Sequence, residues 1–300
     1  MSADKARDKS SKAPADRLIL SIEERRGAIL DVIRRARKRL VLSLFRCNDQ
    51  AIFNELTYAV DRGVAVEVIT TSRAKGGQGR LEEMRESLDQ TGATIYTCAD
   101  PVVKYHAKYI VADDGPAVVA SLNLTRKCFR KTIDGLVITH DPDVVQDLHR
   151  LMRADAAGEK IPTDLTGRLV IGPERARKQL TAIIEQARSS IRIIDAKLSD
   201  PDLVTLLRSR RAGGLRVEVF DSRRVGELKS HGKIMLVDDS KVVVGSLALA
   251  ALSLDFRREV AIVVEEPSAV AEAMEMFRKL NAAAAEAGTL PAGAVDGAQW

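Results

Sequence analysis

One eight-residue pattern occurs twice in this 300-residue chain, as HAKYIVAD (His106 to Asp113) and HGKIMLVD (His231 to Asp238), 125 positions apart. The chain holds four histidines, and two of them open this pattern. The register continues downstream: Ser121 corresponds to Ser246, Asp134 to Glu259, and Asp141-Pro142 to Glu266-Pro267. Upstream the offset becomes 151, so that Ile29, Val32, Ile33, Ala36 and Leu40 correspond to Leu180, Ile183, Ile184, Ala187 and Ile191. That spacing of three and four predicts an amphipathic helix, followed in both copies by an apolar strand. A second helix is expected to end near Gly63 and Gly214, followed by the strands VAVEVIT and LRVEVF. The change of offset is a 26-residue insertion in the first copy, between Val68 and His106, with a helix pattern in LEEMRESLDQ and a strand pattern in ATIYT.

A β-α-β-α-β unit repeated in tandem constrains the fold more than any other feature. Strands alternating with helices give an α/β protein with mixed sheets, whose two copies pack as a pseudo-dimer about a two-fold axis within one chain. The boundaries expected are a disordered basic tail over 1–20, a first repeat over 21–157, a second over 168–287 and a loose tail over 288–300. The seam falls in the polar stretch ADAAGEKIPTDLTG, which carries the turn formers Gly158, Pro162 and Gly167.

Composition narrows the class. Apolar residues make up 45% and charged residues 30%, a soluble globular profile. Cys47, Cys98 and Cys128 form no C-x-x-C pair, which favours a reducing cytoplasm and core roles. The first twenty residues lack the apolar segment of a signal peptide. The longest apolar run, Val242 to Leu254, falls short of the roughly 20 residues that span a bilayer, so no transmembrane anchor is expected. A net charge of +5 and a pI near 9.1 favour anionic partners.

On an extended segment, side chains at i and i+2 project together, so His106 pairs with Lys108 and His231 with Lys233. If the copies meet about their axis, both pairs converge on one pocket suited to a phosphate diester. The lysines would stabilise the non-bridging oxygens, with Ser121, Ser246 and Asn123 as added donors. One neutral histidine would attack phosphorus while the other, protonated, gives its proton to the leaving oxygen. Each imidazole needs a carboxylate to fix its tautomer, and Asp134 and Glu259, both 28 residues after the histidine of their own copy, are expected to supply one apiece. A single H-x-K-x-x-x-x-D would read as an ordinary strand histidine. Two in register, each followed by Ser and then an acid, do not. A lysine between would-be ligands repels a dication and no further His or Cys completes a shell, so neither a metal nor another cofactor is expected.

These residues resemble the phospholipase D superfamily, with its duplicated H-x-K-x-x-x-x-D followed by G-S-x-N, from about Ile22 to Ala284. The resemblance implies a metal-independent phosphodiesterase or transphosphatidylase working through phosphohistidine. It also implies His106 as nucleophile, His231 as general acid and base, Asp113 and Asp238 as structural acids, and Asp134 and Glu259 as braces of the histidines. Two positions depart from it: Ala248 stands where the family has Asn, and Ala120 where it has Gly. Losing one oxyanion-side donor costs roughly 10²–10³ in rate. A phospholipid at a membrane surface is the expected substrate, with the enzyme cytoplasmic or peripheral to the membrane and monomeric. Nucleic acid is the alternative partner, since TSRAKGGQGR and DSRRVGELKSHGK carry basic clusters beside the pocket. Aromatics at 4% leave little for stacking bases. A non-catalytic phosphate-binding protein is a third reading, supported by Ala248 alone.

Overall fold

The computed structural model describes residues 16–73, 77–98, 103–220, 224–225 and 228–286. The expected tail at 288–300 and the first fifteen residues lie outside these, as do parts of both basic clusters. Four residues of the expected N-terminal tail are strand instead. β1 (Asp16–Ile19) pairs antiparallel with Leu136 to Thr139 and buries Leu18 and Ile19, an apolar pair too short to stand out behind the charged Asp16 and Arg17.

α1 (Ile22–Arg35) follows from its sequence. Ser21 caps it by accepting from Glu24 N, Glu23 and Glu24 sit in the first turn, and Arg34 and Arg35 in the last, each sign opposed to the helix dipole. Its apolar stripe, Ile29, Leu30, Val32 and Ile33, is buried. Then come β2 (Arg39–Leu44), α2 (Gln50–Asp61), β3 (Ala65–Thr71), α3 (Gln78–Asp89) and β4 (Thr94–Cys98). β5 (Lys104–Tyr105), β6 (Tyr109–Ala112), β7 (Ala117–Ala120), α4 (Arg126–Arg130), β8 (Thr132–Ile133), β9 (Leu136–Thr139) and α5 (Pro142–Ala157) complete the first copy. Its sheet runs β1-β9-β7-β6-β2-β3-β4, parallel through β2, β3 and β4 and antiparallel elsewhere.

The second copy repeats the order: β10 (Leu169–Gly172), α6 (Ala176–Gln186), β11 (Ser190–Asp195), α7 (Pro201–Ala212), β12 (Arg216–Phe220), β13 (Arg224–Val225) and β14 (Leu228–Ser230). β15 (Lys233–Val237), β16 (Lys241–Gly245), α8 (Ala251–Asp255), β17 (Arg257–Val264) and α9 (Pro267–Glu286) follow. Its sheet, β10-β17-β16-β15-β11-β12, matches the first strand for strand, except that β4 has no counterpart. The insertion seen in the sequence is therefore α3 and β4, an extra edge on one sheet only. Gly63 and Gly214 sit at φ +81° and +94° just beyond α2 and α7, the left-handed position a helix end requires.

Three cores result. α1 to α4 cover one face of the first sheet and α6 to α8 one face of the second. The inner faces meet in a shared core closed by α5 and α9, in which Val119, Val137, Val244 and Ile262 come together. Among the described residues no helix is long and apolar enough to cross a bilayer.

Two short strand pairs stitch the copies together and place the site. β5 pairs in parallel with the start of β17, Lys104 against Arg257 and Tyr105 against Arg258. β14 pairs in parallel with β8, Lys229 against Thr132 and Ser230 against Ile133. These are the same pairing seen from either side of the pseudo-two-fold: the strand before each histidine lies on the strand before the other copy's acid. Gly232 fits there because a Cβ would stand 2.7 Å from Ile133 O, where its own N–H donates at 2.7 Å.

Candidate active site

The exchanged strands determine which acid meets which histidine. His106 Nδ1 donates to Glu259 Oε2 at 2.8 Å, and His231 Nδ1 donates to both oxygens of Asp134 at 3.0 Å. The expectation of one orienting acid per copy is corrected: each histidine takes its carboxylate from the other copy. Equal spacing of 28 residues located the two acids, but spacing carries no information on which strands cross. With Nδ1 of each ring held by its acid, Nε2 is the ring nitrogen left to bond phosphorus or to exchange a proton.

Both acids sit at the centre of small donor cages. Ser121 Oγ donates to Asp134 Oδ1 at 2.7 Å and Thr132 Oγ1 to Oδ2 at 2.6 Å. Ser253 Oγ donates to Glu259 Oε1 at 2.8 Å. Burial raises each carboxyl's pKa, but the adjoining histidine, nearby lysine and hydroxyl donors outweigh it and hold both below the ordinary range. Ser121 and Ser246 are fully buried, so they face these acids and β17 rather than a substrate: Ser246 Oγ accepts from Val260 N and donates to Val260 O. That corrects their expected place as phosphate donors. Thr132 and Ser253 escaped the sequence reading because isolated hydroxyls in a helix–strand corner carry no pattern.

The two histidines are not equivalent. His106 packs against the Phe45 ring, centroids 4.3 Å apart, and its side chain is 13% exposed, whereas His231 is 35% exposed. Ala196 stands in the second copy at the repeat position of Phe45, and among the described residues no aromatic ring packs on His231. Burial, reinforced by Lys108 and Lys233, drives the His106 pKa well below that of a free imidazole despite Glu259. Lys108 Nζ donates to His106 O at 2.8 Å and stands 3.3 Å from Nε2; burial, with Lys233 nearby, lowers it to about 7. Lys233 Nζ repeats the first contact, donating to His231 O at 2.6 Å. The candidate site is thus made of two oriented imidazoles and two lysines, with Lys233 close enough to act on both His106 and Lys108.

Asp113 and Asp238 lie away from this pocket. Each sits at positive φ, +50° and +53°, and accepts three consecutive backbone N–H groups. For Asp113 these come from Arg37, Lys38 and Arg39 at 2.7–2.8 Å, and for Asp238 from Arg188, Ser189 and Ser190. Burial opposes the charges and the amides prevail, taking Asp238 to about 2. Each acid pins the loop between the first helix and first central strand of its copy. Asp113→Asn should therefore lower folding stability by about 1–3 kcal/mol, read from the denaturant midpoint, without altering turnover per folded molecule.

Cys128, Asp134 and His231 place ligand-type atoms within 4.8 Å of one another, the one trio of this kind among the described residues. Its Asp134 oxygens are already taken by Ser121, Thr132 and the imidazole, and Lys108 and Lys233 add positive charge nearby.

The profile described as "Cardiolipin synthase, PLD-like domain" matches residues 29–156 and 207–281, more than half of the chain. The chain belongs to the phospholipase D superfamily. Among solved structures, a polyphosphate kinase from Porphyromonas gingivalis superposes with a TM-score of 0.71 at 19% identity, over 88% of this chain and 50% of the kinase. The chain thus spans half the length of that protein. A phosphatidylserine synthase from Haemophilus influenzae Rd KW20 gives a TM-score of 0.66 at 12% identity, over 90% of this chain and 86% of the synthase. At such identities the likeness is one of fold, the tandem phospholipase D-like architecture. No curated protein matches the sequence.

As a member of the phospholipase D superfamily, the chain departs from the repeated pattern at Ala248. Its methyl is buried and its N–H donates to Ser253 Oγ, the same hydroxyl that holds Glu259. In the first copy Asn123 remains, with Oδ1 buried and unpartnered among the described residues. The superfamily's amide therefore survives on one side of the pocket only.

Proposed function

We propose that the protein is a metal-independent phosphodiesterase of phospholipase D type that hydrolyses or transfers the phosphatidyl group of phospholipids. The observation that supports this best is the crossed pair of dyads, two imidazoles each oriented through Nδ1 by a carboxylate, with Lys108 and Lys233 beside them.

His106 Nε2 attacks phosphorus as the bond to the leaving oxygen breaks, and His231 gives that oxygen a proton. Lys108 and Lys233 neutralise the charge growing on the non-bridging oxygens. In the second step water or an alcohol loses its proton to His231 and attacks phosphorus, and the P–N electron pair returns to His106. The buried, neutral ring under Phe45 suits the nucleophile, and the more exposed His231 suits proton exchange with solvent and acceptor. A lipid substrate accords with the description of the matching profile and with the fold shared with a phosphatidylserine synthase.

The deciding assay is headgroup and phosphatidic acid release from mixed anionic phospholipid vesicles in EDTA, by wild type and His106→Ala side by side. Release by wild type alone is the expected result. Loss of wild-type activity on chelation would refute the two-histidine mechanism, and release by neither would turn the assignment to nucleic acid. Because burial depresses the His106 pKa, its neutral form persists to lower pH than a free imidazole allows. The acid limb of kcat/KM should accordingly lie below the ordinary value of about 6.5. A limb at or above that value would contradict the assignment of His106 as nucleophile.

A further inference from the structure

The two sides of the pocket, though built by the same repeat, carry opposite chemistry. α4 and α8 occupy equivalent positions beside the two acids. On α4 the side chains away from the core are Arg126, Lys127 and Arg130, with Lys131 following; on α8 the corresponding residues are Ala251, Leu252 and Asp255, with Phe256 following. Leu252 and Phe256 are 62% and 47% exposed, large apolar side chains in water where the first copy has lysines. α8 adjoins His106, through Ser253 on Glu259 and Phe256 O accepting from Lys104 N. α4 adjoins His231, whose ligand-type atoms cluster with those of Cys128.

On the α4 side a cleft of about 560 Å³ opens directly onto His231 and is walled by α3, the helix present in the first copy alone. Arg46, Arg80, Lys127 and Lys229 line it, against a single acid among the described residues, Glu83. None of these four cations makes an ion pair among the described residues, whereas Arg26, Arg39, Arg168, Arg177, Arg192 and Arg258 do. Hydrocarbon could not enter without stripping water from four charges that have no ion-pair partner among the described residues. An anionic, hydrated group would be drawn in by the same charges.

We propose that this cleft binds a phosphomonoester carried by the alcohol that leaves from, or attacks, the phosphorus. The substrate is then a diester joining an apolar alcohol, held on the Leu252 and Phe256 side, to a polar alcohol bearing a second phosphate. Which end of the diester the cleft holds rests on the function proposed above, through the assignment of His231 as the group that exchanges a proton with the leaving and entering oxygen. The phosphate could be that of a phosphorylated headgroup or of a nucleotide, and the chemistry of recognition is the same for both.

The test is calorimetric titration of glycerol 3-phosphate, adenosine 5′-monophosphate and glycerol into the full chain, which needs no turnover. At least one phosphomonoester should bind and glycerol should not, and the preferred one tells headgroup from nucleotide. Arg80→Glu combined with Lys127→Glu should raise its Kd by about tenfold or more, and Arg80→Ala by a smaller factor, which separates lost affinity from lost fold. Lys108→Ala and the pair Leu252→Ser with Phe256→Ser should leave it within about twofold. Loss of binding in Lys108→Ala with none in the Arg80 variants would put the phosphate at the histidines and overturn the proposal. So would binding lost in the Leu252 and Phe256 variant, or no binding by wild type. Absence of diester turnover alongside a cleft-dependent Kd would instead refute the proposed reaction and leave the site standing.

Discussion

Replacing His106 by alanine should abolish turnover, by roughly 10⁴-fold or more, whereas His231→Ala should fail selectively. On the proposed mechanism the two rings share a constellation but not a task. Without His106 there is no atom to receive the phosphoryl group, and no choice of substrate restores one. Without His231 the missing event is proton delivery to the leaving oxygen, worth about 10²–10⁴. A p-nitrophenyl diester, whose phenolate departs without protonation, bypasses that event. His231→Ala should release a burst of nitrophenol on such a substrate and then stall, with a phosphorylated protein trapped, because the second step still needs a base. Mass spectrometry of the quenched enzyme would find the adduct on the peptide containing His106. A burst from His106→Ala, or an adduct at His231, would reverse the two assignments.

The second large effect follows from the crossed bracing. Glu259→Gln should damage the first step, because Glu259 orients His106, and should cost on the order of 10²–10⁴ even with the aryl leaving group. Asp134→Asn acts on His231 and should spare the aryl burst to within about tenfold while slowing release of the adduct. Bracing within each copy would give the opposite pattern, with the Asp134 variant losing the burst. Single-turnover kinetics on the aryl diester distinguish the two. The result depends on strand pairing alone, since Asp134 and Glu259 hold equivalent places in the repeat.

Much of this was legible in the sequence because duplication converts weak signals into strong ones. A lone histidine two residues before a lysine says little, and the same pair repeated in register, with Ser and an acid behind each, picks out the pocket. α1, α2, α6 and α7 and the strands that follow them are legible in apolar spacing, and α3 and β4 in the change of offset. Four things were not legible. β1 is four residues, the first two charged, with too few periods to register. The partner of each acid is set by β5 on β17 and β8 on β14, pairs of two residues that no periodicity marks. The inequality of the histidines comes from Phe45 against Ala196, one substitution whose meaning appears only when the ring is found over His106. Arg25, buried in α1 and donating to Cys128 O and Thr132 O, was hidden likewise, reading as one more charge on an amphipathic helix.

The exchange of strands also bears on how the protein comes into being. The contact that orients His106 joins residues 153 positions apart, and its counterpart at His231 spans 97. A nascent first copy can form its sheet and its outer core while still lacking the carboxylate that orients its own His106. Long-range pairings of this kind close late, after the entropy of the intervening chain has been lost. Chemical competence should therefore trail secondary structure in refolding, so that the enzyme stays silent until the last strand of the second sheet has docked.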